Sequence, residues 1–299
     1  MGPGAAEPGH AEPGHAEPGH DGGTRDPFGT RLARAMGERG PLCVGIDPHP
    51  GLLADWSLPD TAAGVERFAL TVVEAMAGTV AMVKPQVALF ERHGSAGFAA
   101  LERTLAACAD ASLLSLADAK RGDIGSTMAA YADAWLADGS PLAADAVTLS
   151  PYLGFGSLRP ALDVAARTGR GVFVLGLTSN PEGASVQHAG GAASVARGIV
   201  EATAAENGTA SPMGSTGLVI GATVGPALQD LGIDLGPGRA PILAPGLGAQ
   251  GATPADLRRV FGGVWDQLVP TSSRDILRHG PTVGALRSAA GRVQEDLRS

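Results

Sequence analysis

The chain has 299 residues, 44% hydrophobic and 17% charged, and because aromatics contribute only 4% its core must be built from Ala, Val, Leu and Ile. A formal net charge of −8 argues against nonspecific binding to nucleic acid or anionic membrane, which need a basic surface, so an anionic ligand would require a locally basic pocket. No stretch approaches the roughly 18 apolar residues of a membrane span. No basic segment followed by an apolar run opens the chain, and Cys43 and Cys108 both lie in apolar segments. The expectation is a soluble, non-exported, cytoplasmic protein with buried free thiols rather than a disulfide.

Taken in chain order, the first segment stands apart. Ala-Glu-Pro-Gly-His runs three times over residues 6–10, 11–15 and 16–20, with no apolar side chain large enough to pack. Residues 1–25 are expected to form a disordered tail, and the Pro-Gly spacing gives His10, His15 and His20 no fixed geometry for a metal. Residues 26–299 then read as a single catalytic domain. Short runs rich in Val, Ile and Leu alternate with Ala-rich amphipathic stretches, the pattern of βα units on a parallel sheet. Strands are expected at 42–46, 80–84, 113–117, 146–149, 172–177, 218–220, 242–244 and 267–269. Helices follow at 62–76, 97–108, 126–137, 157–167, 192–205, 226–231, 254–261 and 274–278. Eight such units fit a closed α/β fold, the (β/α)8 TIM barrel, better than an open doubly wound sheet. A further helix at 283–297 would close the chain, and 190–217 reads as an insertion longer than a minimal connection, with no role assigned.

In a TIM barrel the active site lies at the C-terminal ends of the strands. Asp47, Lys84 and the pair Asp118 and Lys120 end the first three predicted strands. Thr178-Ser179-Asn180-Pro181 follows the fifth, Pro245-Gly246 the seventh and Ser272-Ser273-Arg274 the eighth. Polar and special residues therefore gather at one rim. Only two of the 22 basic side chains are lysines, Lys84 and Lys120, and an ammonium, unlike a guanidinium, can give up a proton.

The stretch Asp118-Ala119-Lys120-Arg121-Gly122-Asp123-Ile124-Gly125-Ser126-Thr127 spaces acid, base and acid after an apolar run. In extended backbone Asp118 and Lys120 point the same way and share a cavity, while Asp123 lies further along, just before a helix. Carboxylates beside the lysine keep it protonated and repel a third carboxylate. That pattern suits decarboxylation, in which a substrate carboxylate leaves as carbon dioxide and the lysine protonates the resulting carbanion.

At these residues the chain resembles the orotidine 5′-phosphate decarboxylase family, in its longer-chain, type 2 form. The signature D-x-K-x-x-D-[IV]-x-x-T stands intact as Asp118, Lys120, Asp123, Ile124 and Thr127. Ile46-Asp47 resembles the family's first-strand aspartate and Val83-Lys84-Pro85-Gln86 its second-strand lysine. Pro245-Gly246-Leu247-Gly248-Ala249-Gln250-Gly251 is similar to its phosphate-gripping loop, and Ser272-Ser273-Arg274 to the subgroup's phosphate arginine.

The resemblance implies a cofactor-free and metal-free carboxy-lyase converting orotidine 5′-monophosphate to UMP in de novo pyrimidine biosynthesis. Lys120 would protonate C6, Asp118 and Asp123 would flank the leaving carboxylate, and Lys84 would bridge the ribose hydroxyls and Asp118. Asp47 would hold a ribose hydroxyl and Ser179 the pyrimidine edge. Pro245, Gln250, Ser273 and Arg274 would form the phosphate end, with a loop at 246–251 that is mobile when empty. The family is dimeric, so Asp123, Ile124 and Thr127 would serve the neighbouring subunit's site. Two alternatives stand beside this reading. One is a magnesium-dependent sugar-phosphate lyase of the same barrel, such as a hexulose-phosphate synthase, which places an acid where this chain has Lys84. The other is a noncatalytic phosphate-sugar binding barrel.

Overall fold

The computed structural model describes Met1 and residues 25–248 and 251–299. The expected tail over 1–25 therefore falls, but for Met1 and Arg25, outside the described residues. Eight strands run β1 Cys43–Ile46, β2 Met82–Pro85, β3 Leu114–Arg121, β4 Ala146–Leu149, β5 Gly171–Leu177, β6 Thr216–Ile220, β7 Ile242–Pro245 and β8 Leu268–Ser272. Each pairs in parallel with the next, and β8 returns to β1, closing the barrel.

Period-two alternation sorts each strand into two faces. Val44 and Ile46 of β1, Val83 of β2, Ala117 of β3 and Val147 of β4 face the helical shell and join one large apolar cluster. Cys43, Met82, Leu116, Ala146, Phe173, Val219, Leu243 and Val269 face inward and form a second. The helices show the complementary 3.6-residue stripe. Ala62–Met76 buries Val65, Phe68, Ala69, Val72, Val73 and Met76, and its first turn is capped by Thr61, whose side chain accepts from Gly64 N.

Several elements differ from expectation. β3 runs on through Asp118 and Lys120 to Arg121, although its apolar pattern stops at Ala117. β8 starts at Leu268 and reaches Ser272, while Gln267 belongs to the preceding 3-10 segment Gly262–Gln267. Within 190–217 the helix expected at 192–205 begins and ends two to three residues later. It spans Val195–Asn207, links β5 to β6 and buries Ala196, Ile199, Val200 and Thr203. Among the described residues four α-helices had no predicted counterpart: Phe28–Arg39, Pro50–Asp55, Val87–Glu91 and the single turn Ala184–Gln187.

The first of these closes the floor of the barrel. Phe28 and Leu32, both fully buried, enter the inner cluster, and the Phe28 ring meets Phe173 edge-on at 5.9 Å. Gly171 makes room for it, since a Cβ there would stand 2.4 Å from the Phe28 ring. Arg25 and Arg31 fasten the segment from outside, donating to the carbonyls of Thr168 and Gly169 and pairing with Asp138 and Asp145. Among the described residues, apolar side chains fill the barrel interior from below, and a cavity opens at the strands' C-terminal ends. No helix among the described residues is long and apolar enough to cross a membrane.

Candidate active site

Above the apolar floor the inward positions turn polar: Asp47 just after β1, Lys84 on β2, Asp118 and Lys120 on β3, Thr148 on β4, Thr271 on β8 and Ser273 just after it. Most of them line a cavity of about 560 Å³, with Ser179, Asn180 and Gln187 from the loop after β5 on one side and Pro245, Gly246 and Arg274 on the other. Thr148 lies behind the wall, fully buried.

Four charged groups of alternating sign cross the cavity. Lys84 Nζ stands 4.0 Å from Asp47 Oδ1 and 3.0 Å from Asp118 Oδ2, and Lys120 Nζ stands 2.5 Å from Asp118 Oδ1. Gln86 Nε2 donates to Asp118 Oδ2 at 3.0 Å and Thr148 Oγ1 to Oδ1 at 2.9 Å. Burial pushes the Asp118 carboxyl up, but Lys84 and then Lys120 outweigh it and hold it well below the usual carboxylate range. Burial likewise drives Lys84 down, and Asp118 and Asp47 outweigh it, so its ammonium stays charged above the ordinary lysine range. Beneath them, burial pushes the Cys43 thiol up to about 12, leaving it neutral and inert.

The linkage consequence has a sign for each group. Asp118, lowered in the folded state, contributes stability above its unfolded pKa of roughly 4 that is lost as pH falls toward its folded value. Lys84, raised, contributes below roughly pH 10 and loses that contribution as pH rises through its folded value. The melting temperature is therefore expected to fall more steeply below about pH 4 in the wild-type chain than in Asp118→Asn. Equal acid slopes in the two melting series would contradict the ion pairs.

Lys120 carries an unusual backbone. Its φ of 47° lies in the left-handed region, which costs a non-glycine residue about 1–3 kcal/mol, and the β3–β4 register slips between Ala117 and Arg121. The turn is pinned on both faces. Inside, Lys120 N donates to Thr148 Oγ1 at 2.9 Å. Outside, Arg121 pairs with Glu91, donates to the Ala119 carbonyl at 3.1 Å and lies 5.8 Å over the Trp135 ring. This over-determination turns the Lys120 side chain into the cavity, where 47% of it is exposed against 7% for Lys84.

At the phosphate end expected from sequence, Ser273 Oγ donates to Asp47 Oδ2 in a short hydrogen bond. A Cβ at Gly45 would strike Ser273 Oγ at 2.2 Å, so this contact requires glycine on β1. Asp47 Oδ1 is buried without a hydrogen-bond partner among the described residues. Arg274, exposed at the mouth, has no carboxylate partner among the described residues. Gln250 lies outside the described residues, as does part of the loop expected to be mobile. Of the described residues at that end, Pro245, Gly246 and Leu247 line the cavity wall.

A model of the "Orotidine 5'-phosphate decarboxylase / HUMPS family" matches residues 40–289. The chain belongs to this family. A Streptomyces coelicolor relative named orotidine 5′-phosphate decarboxylase is 58% identical over 277 residues, covering 92% of this chain and 98% of the relative. A Salinispora arenicola relative of the same name is 57% identical over 276 residues, with the same coverage. A crystal structure of a Streptomyces avermitilis protein ascribed to the same activity superposes with a TM-score of 0.89 at 56% identity, covering 94% of this chain and 98% of that one. The structure of Leishmania donovani OMP decarboxylase matches at 28% identity with a TM-score of 0.71, covering 91% of this chain and all of that one.

Within the family's signature the residues divide. Asp118 and Lys120 enter the cavity, whereas Asp123, Ile124 and Thr127 do not line it. Asp123 Oδ1 accepts from Ile124 N at 2.8 Å, and Ile124 is 61% exposed. Gln86, Thr148 and Gln187 were not among the residues the sequence singled out as site groups. Gln86 and Gln187 reach the wall, and Gln187 clasps Thr178 twice, its Oε1 accepting from Thr178 N at 2.9 Å and its Nε2 donating to Thr178 Oγ1 at 2.7 Å. The clasp braces the loop carrying Ser179. Thr148 was legible in principle as an inward polar position on a short apolar strand.

Proposed function

We propose that this chain decarboxylates orotidine 5′-monophosphate to UMP and carbon dioxide in de novo pyrimidine biosynthesis, without cofactor or metal. The observation that carries the reading is the alternating row Asp47, Lys84, Asp118, Lys120 inside one cavity of a chain whose relatives bear that name. The substrate carboxylate sits against carboxylates and is destabilised there. The C6–carboxylate bond breaks, carbon dioxide departs, the electron pair stays on C6, and Lys120 Nζ gives C6 a proton. Lys84, charged and bridging two acids, holds the ribose and fixes Asp118. Asp47, through its unpartnered Oδ1, takes a ribose hydroxyl.

Ser179 reads the pyrimidine edge. Arg274 binds the phosphate as a bidentate fork, with Gln250 above it and Pro245 and Ser273 shaping the pocket. The row places no second carboxylate next to Lys120, and Asp123 fills that role from a second copy of the chain. Exposed apolar groups support such a homodimer, Ile124 together with Tyr152 at 79% and Leu153 at 53% exposure on the adjoining turn. A cytoplasmic location belongs to the same reading, supported by two free, buried cysteines.

The test is an assay of purified protein with orotidine 5′-monophosphate in excess EDTA, following loss of the orotate chromophore. Robust turnover is expected. Activity that appears only when Mg²⁺ is added back would replace this reading with the metal-dependent lyase.

A further inference from the structure

We propose that Thr148 is a positioning residue for this reaction, its one hydroxyl tying the Lys120 backbone to the Asp118 carboxylate and so setting where the lysine ammonium stands against the acid. The inference rests on the decarboxylase reading above. Thr148 is fully buried, and its Oγ1 lies 2.9 Å from both Lys120 N and Asp118 Oδ1. A hydroxyl has one proton and two lone pairs. Since the amide can only donate, Oγ1 accepts from Lys120 N and directs its own proton to Asp118.

The carboxylate is thereby saturated. Oδ1 receives Lys120 Nζ and Thr148, and Oδ2 receives Lys84 Nζ and Gln86 Nε2. A carboxylate offers about four lone-pair sites, so none is free to let the group rotate. Of these four donors only Thr148 does not line the cavity. It cannot contact substrate and acts through the two groups that do.

The strained backbone explains why a side chain is needed. With Lys120 at a φ of 47° and the β3–β4 register slipping there, its amide leaves the ladder and is met by the threonine hydroxyl. Without that hydroxyl the amide loses its partner in the part-buried wall, and the turn relaxes toward ordinary strand geometry. The ammonium then moves away from the reacting carbon.

Thr148→Val keeps the shape and removes the hydroxyl, and Thr148→Ser restores it. With orotidine 5′-monophosphate, valine is expected to lower kcat on the order of a hundredfold, the effect of a displacement of about 1 Å. KM should be nearly unchanged, because the ribose and phosphate contacts are untouched. Serine should regain most of the rate. The acid limb of kcat should move to higher pH in the valine variant alone, because Asp118, faced by Lys84, Lys120 and Asp47, loses a donor to its charged form. If valine prevents folding, Thr148→Cys, whose thiol is a poor donor of similar size, must show the same loss in kcat. Wild-type turnover with an unimpaired valine variant, or a loss that serine does not recover, would overturn the positioning role alone. Absence of wild-type turnover would remove the decarboxylase reading and this inference with it.

Discussion

Lys120→Ala is expected to fold, to bind UMP and to lose turnover by about 10⁴-fold or more, the upper range for a positioned proton donor. The fold should survive because the side chain is half exposed in the cavity, and Asp118 keeps Lys84, Gln86 and Thr148 as donors. Binding should survive because the ribose and phosphate contacts assigned to Asp47, Lys84 and Arg274 lie on β2 and just beyond β1 and β8, away from β3. Lys120→Arg should do no better than alanine, since a guanidinium retains charge but does not release its proton near neutral pH. Single-turnover kinetics, calorimetric titration with UMP and a thermal melt separate the three quantities. A kcat within tenfold of wild type in either variant would remove Lys120 as the donor.

The second large effect concerns the proposed division of the signature between two chains. If the site is shared, Lys120→Ala and Asp123→Ala chains should each be nearly inactive alone. Mixed, and allowed to exchange, they should recover activity toward about one quarter of wild type. Random pairing makes half the dimers mixed, and each mixed dimer holds one site with both residues intact. Mass spectrometry of differently tagged chains establishes exchange, and the chromophore assay reads recovery. Complete exchange with no recovery would place Asp123 in its own subunit's chemistry. The exposed Ile124, outside the cavity with Asp123, is the observation that motivates the experiment.

The sequence disclosed the barrel and the positions on its rim, but not the mechanics between them. Eight apolar runs marked the strands because a parallel barrel strand is buried on both faces, and Val83 or Val147 leaves a strong local signature. The end of β3 was hidden because Asp118 and Lys120 are polar residues in a strand, and the left-handed turn at Lys120 has no compositional mark; a glycine would have announced it. Phe28–Arg39 was missed because its buried apolar residues, Phe28, Leu32 and Ala35, are few and diluted by arginine and glycine. That sparse face meets the end of a barrel rather than the flank of a sheet. Thr148 and Gln86 were silent for another reason. Threonine in a strand and glutamine after a proline are ordinary, and only the convergence of four donors on one carboxylate gives them meaning.

The plug formed by Phe28 and fastened through Arg25 also fixes which way the chain enters the molecule. Arg25 is tied to Asp138 and to the Thr168 carbonyl at the closed end, the pole opposite the cavity mouth where Arg274 stands. Cargo joined directly to Arg25 would therefore be anchored at the blind pole, on the far side of the barrel from the doorway for nucleotide traffic.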